Sequence, residues 1–93
     1  MKDIEMYSDP QEVLRKTRKY FGKDTELYLS TRKNKKYMIE DNNGKMIHFG
    51  LYPYEDFTKH KDKKRRDDFK QRNAKWANAD KYTPAYMSYY LLW

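Results

Sequence analysis

The stretch from 59 to 76, KHKDKKRRDDFKQRNAKW, limits the possible folds more than any other part of the chain. Neither Gly nor Pro interrupts it, so it predicts one long helix. Nine of its side chains are basic (Lys59, Lys61, Lys63, Lys64, Arg65, Arg66, Lys70, Arg72 and Lys75), against Asp62, Asp67 and Asp68. Its only large apolar side chains are Phe69 and Trp76, seven positions apart and so on one face. Such a helix can meet a core only along that stripe. The expectation is that Phe49, Phe57, Phe69 and Trp76 share one core between this helix and a sheet.

The rest of the chain must supply most of that core. Ninety-three residues suit a single domain, 1–93, without room for a second core or a large catalytic cleft. Charged and hydrophobic residues each make up 38%, a mixture close to that of disordered chains. Ten Tyr, four Phe and two Trp offset it, because each buried ring removes about 150–250 Å² from water. The net charge of +7 favours an anionic partner: nucleic acid, acidic protein or a membrane surface. The lack of cysteine excludes a disulfide scaffold, a Cys-based zinc finger and a thiol nucleophile. No apolar run reaches transmembrane length, and MKDIEMYSDP has no apolar signal-peptide region. The expectation is a soluble intracellular domain with no membrane partner.

Local signals predict an α+β fold. Asp9 suits an N-cap and Pro10 the first helical position, while Val13, Leu14, Thr17, Tyr20 and Phe21 recur at helical spacing until Gly22. This predicts a helix over 10–21, with Arg15, Lys16, Arg18 and Lys19 on its outer face. The period then changes to two. Asn43-Gly44 is a tight-hairpin signal, and strands on both sides of it predict a three-stranded antiparallel meander over about 26–49. In that meander Tyr37, Ile39, Ile47 and Phe49 fall on one face, predicted to pack on the long basic helix. Thr83-Pro84 opens a last helix, 84–93, whose sequence AYMSYYLLW is apolar nearly all round. A small core covers only part of such a helix, so a homodimer through it is the expected remedy.

Chemistry-bearing motifs are few. The two histidines, His48 and His60, lack a Cys or an H-E-x-x-H pattern, so neither metal nor cofactor is expected. The glycines are isolated and form no phosphate loop. The helical carboxylates are explained by ion pairs at i,i+3 and i,i+4, such as Asp62–Arg65, Asp62–Arg66 and Asp68–Arg72. No enzyme activity is expected. His60, Asp56 and Thr58 instead suit the capping of the orphan N–H groups at the start of the long helix. What remains is the basic surface. Lys and Arg neutralise phosphates and release counterions without reading sequence. The candidate nucleic-acid contacts are Lys61, Lys64, Arg65, Arg66, Arg72 and Lys75, with Lys33, Lys35 and Lys36 as a second group. Tyr28 and Tyr37 could stack bases, but most tyrosines in so small a chain are needed as core.

A resemblance adds context. The run Tyr54-Glu55-Asp56-Phe57-Thr58-Lys59-His60-Lys61-Asp62, then Arg65-Arg66, Phe69 and Arg72, resembles a family of small basic proteins of giant (nucleocytoplasmic large DNA) viruses. The likeness spans about 31–93, including Lys36-Tyr37-Met38, Gly44-Lys45, His48-Phe49-Gly50, Thr83-Pro84-Ala85 and Ser88-Tyr89-Tyr90-Leu91-Leu92-Trp93. No activity comes with it. It implies a viral protein in the virion or the cytoplasmic viral factory of a eukaryotic host. Asn73 stands where relatives often carry His, which argues further against a metal or general base. The function expected is non-specific nucleic-acid binding, most simply to DNA, in genome packaging or as a virion nucleoprotein. The alternative is a minor capsid or cement protein, or a host-interaction module, with an acidic partner.

Overall fold

The computed structural model of the chain describes residues 3–93. A short 3-10 turn, Ile4–Met6, precedes helix α1, Pro10–Phe21. Asp9 caps α1 as its spacing predicts, its carboxylate accepting from the N–H groups of Gln11 and Glu12. Gly22, at φ 115°, ends it. Strands β1 (Tyr28–Leu29), β2 (Lys35–Glu40) and β3 (Met46–Leu51) follow in the order β1-β2-β3, all antiparallel. The molecule is thus α+β, with the meander where period and turn residues put it.

The register explains the core. Tyr37 lies opposite Phe49 and Ile39 opposite Ile47, so the four apolar side chains of one sheet face meet in pairs. All four are buried, together with Ile4, Val13, Met87, Leu91 and Leu92. The partners of the sheet are therefore α1 and the C-terminal segment. That segment starts as helix α4, Pro84–Met87, capped by Thr83, and continues as a π-helical turn over Ser88–Leu92. Along α1, Tyr20 packs on Tyr90 with ring centroids 5.3 Å apart, and Phe21 edges onto Tyr82 and Tyr86. Met87, Leu91 and Leu92 are fully covered, and the remaining rings of the segment are half-buried. The chain's own helix and sheet thus cover the Met87, Leu91 and Leu92 side of this segment and leave its rings partly open.

Three expectations need correction. The basic stretch is not one helix. It forms α2, Phe57–His60, then α3, Lys63–Arg72, then a 3-10 turn, Ala74–Asn78. Lys61 takes the left-handed conformation at φ 58°, and Asp62 caps α3 by accepting from the N–H groups of Lys64 and Arg65. Two capping aspartates, Asp56 and Asp62, thus start two helices in quick succession. Nor does the meander pack on the basic helix, since α3 has no buried residue. Finally, the four rings expected in one core divide. Phe49 is in the main core, whereas Phe69 lies parallel to Trp93, 4.4 Å between centroids and 8° between planes, and takes the edge of Trp76 at 5.8 Å. Phe57 lies outside the main core beside two cations and is linked to the second group through the His60 ring, 6.1 Å from Phe57 and 5.2 Å from Trp93.

Candidate nucleic-acid interface

The segment after β3 is positioned by a buried polar network. Asp56 is 1% exposed and caps α2, with its Oδ1 accepting from the Thr58 N–H at 3.0 Å and from the Thr58 hydroxyl. Its Oδ2 accepts from Lys36 Nζ at 2.9 Å, and the same ammonium reaches the Tyr7 carbonyl at 3.3 Å. Thr58 Oγ1 lies 3.2 Å from Ser8 Oγ, which accepts from the Tyr37 hydroxyl at 2.7 Å. Burial pushes the Tyr37 phenol well above its ordinary pKa. The network ties the loop before α1, the middle of the sheet and the start of α2 together. Burial lowers the Lys36 pKa, and the Asp56 carboxylate opposes the shift. Lys36 was expected to touch phosphate. It cannot: its side chain is 2% exposed and its charge is paired inside the protein.

From this anchor Phe57 of α2 is held where cations from both α1 and α3 reach it. Two observations bring these cations together. The Phe57 ring carries the Arg66 guanidinium at 5.0 Å from one helix and Lys16 Nζ at 5.9 Å from another. The Lys16 pKa is lowered by burial and by the nearby charges of Lys70, Arg15 and Lys61, with Glu12 opposing. Burial and neighbouring Arg66 likewise lower Lys70, whose ammonium sits 4.9 Å from the Tyr89 ring centroid. Lys70 is thus a half-buried cation held among like charges, with only Asp67 opposing its shift. Lys16 and Arg66 therefore meet at the Phe57 ring, with Lys61 and Lys70 close enough for their charges to act on Lys16. Glu12 is paired with Arg15 at 2.6 Å, outside this group, whereas Arg66 carries its own ion pair with Asp67 at 3.1 Å.

The other candidates divide. Lys64 pairs with Asp68 at 3.1 Å, and Arg65 approaches Glu55 at 4.0 Å. The expected pairs of Asp62 and of Asp68–Arg72 do not form, because the Asp62 carboxylate is used in capping and Asp68 faces Lys64. Arg72 and Lys75 are exposed near the far end of α3 and make no ion pair among the described residues. Lys33 is exposed on the β1–β2 hairpin, and Lys35 lines a groove between the end of β3 and α4. Lys16 and Lys70 were not among the candidates. Helical spacing puts Lys16 on the outer face of α1, but its approach to α3 is a tertiary fact. His60 does act as a cap, its Nδ1 accepting from the Asp62 N–H at 2.9 Å. Among the described residues no group of three or more His, Asp or Glu side chains converges as metal ligands would. No helix among them is long and apolar enough to cross a membrane.

No curated protein and no solved structure matches the chain. One family model does, over residues 25–73, which run from just before β1 through the buried Lys36–Asp56 pair to the end of α3. That match covers more than half of the chain, and the protein belongs to the family of unknown function DUF5754.

Proposed function

We propose that this protein is a binding module rather than an enzyme, and that it holds nucleic acid, DNA in the first place, through phosphate contacts without sequence preference. The observation that carries the reading is the convergence of Lys16 from α1 with Arg66 at the Phe57 ring, close to Lys61 and Lys70. Like charges gathered there raise the local potential, and a polyanion relieves that repulsion while releasing its own counterions. The resemblance to giant-virus proteins suits a role in genome packaging or as a virion nucleoprotein, in the particle or the viral factory.

Duplex DNA titrated at several salt concentrations tests this. Four phosphate contacts at ~0.9 counterions each give a slope of log affinity against log salt of about −3.6. Lys61→Glu with Lys70→Glu should abolish binding while circular dichroism stays unchanged. Lys33→Glu should leave affinity within about twofold. No binding to duplex or single strands at low salt would reject the proposal.

A further inference from the structure

A groove of about 540 Å³ opens between the end of β3 and the C-terminal segment. Tyr54, Phe69, Trp76 and Trp93 give it aromatic walls, and both tryptophans of the chain line it. The parallel Phe69–Trp93 pair and the edge contact of Trp76 hold these rings in place. The Tyr90 hydroxyl steadies the turn that carries Trp76 by donating to the Ala77 carbonyl at 2.9 Å. Leu51 and Tyr54 remain 56% and 63% exposed beside the opening, an arrangement the core does not need.

The charge around the groove identifies the occupant. Arg65, Phe69 and Arg72 lie at i, i+4 and i+7 on α3, so cations and a ring share one stripe. Lys75 precedes Trp76, and Lys35 lines the groove itself. Glu55 also lines it but faces Arg65 at 4.0 Å. Flat apolar walls next to cations suit a base whose own phosphates lie alongside. A duplex keeps its base faces stacked inside, whereas a single strand can present them. The volume lies within the ordinary range of small-ligand sites, about 300–1,000 Å³.

We propose that this groove receives unstacked bases of single-stranded nucleic acid, a specificity that rests on the phosphate-binding reading and adds a preference for single strands. The test compares a (dT)12 strand with a 12-base-pair duplex by anisotropy and tryptophan emission. Because both tryptophans line the groove, (dT)12 should change the emission and the duplex should not. Trp76→Ala should weaken (dT)12 binding about tenfold, the loss of one base–aromatic stack, and leave duplex affinity within about twofold. Tyr54→Ala, at an exposed position, should act in the same direction if Trp76→Ala fails to fold. Equal binding of strand and duplex with unchanged emission would overturn the groove assignment while leaving phosphate binding in place. An emission change with an apolar peptide but not with (dT)12 would assign the groove to a protein partner and overturn it too. Binding of neither nucleic acid would reject both readings.

Discussion

Lys36 and His60 show how a side chain's surroundings decide its role. Lys36 belongs to a basic run in the sequence, yet its ammonium is enclosed with Asp56. Removing one member of a buried pair leaves the other charge without compensation, at a cost of about 3–5 kcal/mol. Lys36→Met should therefore lower the unfolding free energy by that amount in denaturant titration, whereas an exposed-site control such as Lys33→Met should change it by less than about 0.5 kcal/mol. At His60, the Nδ1 accepts a hydrogen bond while the Nε2 is buried without a partner among the described residues. Burial first, and the Arg65 charge next, hold its pKa below the ordinary 6.5, against Glu55, Asp56 and Asp62. The unfolded chain thus takes up this proton before the folded one. The contribution of His60 is fully present above about pH 6.5 and declines as pH falls toward the lower folded value. The stability difference between wild type and His60→Gln should consequently shrink between pH 7.5 and 5.5. A constant difference would remove this account.

At the scale of elements, the break at Lys61–Asp62 directs α3. Propensity alone favours continuing the helix through Lys59-His60-Lys61, and the caps prevail. Asp56 and Asp62 each satisfy N–H groups that a helix start leaves open. Asp62→Ala should lose about 1 kcal/mol of stability in urea unfolding. It should also weaken nucleic-acid binding, because Arg66 and Lys70 are aimed from α3. β3 has a local constraint of its own. Gly50 sits at φ 85°, and a Cβ there would lie 3.0 Å from the Lys36 Cβ and 3.1 Å from Leu92. Only glycine lets β3 pass so close to both the buried lysine and the C-terminal segment.

For the whole molecule, the C-terminal segment is the element on which the others converge. It packs against α1 on one side and the sheet on the other, while the strongly charged α3 stays at the periphery. Leu91 is fully buried, so Leu91→Ala should cost about 2–5 kcal/mol, measurable as a lower denaturation midpoint. The matched family segment, 25–73, contains the sheet and the basic helices but neither α1 nor the C-terminal segment. The core of this chain therefore combines family strands with helices from outside that match.

Where a short-range rule suffices, the amino-acid sequence determined the outcome. The Asp9-Pro10 start and Gly22 end of α1, the Asn43-Gly44 hairpin and the pairing faces of Tyr37, Ile39, Ile47 and Phe49 follow from caps, turn conformation and strand alternation. His60 was legible as a cap for the same reason. Tertiary structure alone decided what depends on which elements meet. A lysine's charge does not reveal whether it will face water or Asp56, so Lys36 could not be separated from Lys33 and Lys35. The apolar C-terminal segment carries no mark distinguishing a core from an interface. The gathering of Lys16 with Lys61, Arg66 and Lys70, and of Trp76 with Trp93, arises between residues distant along the chain. Those contacts depend on chain-wide packing, which local propensity does not encode.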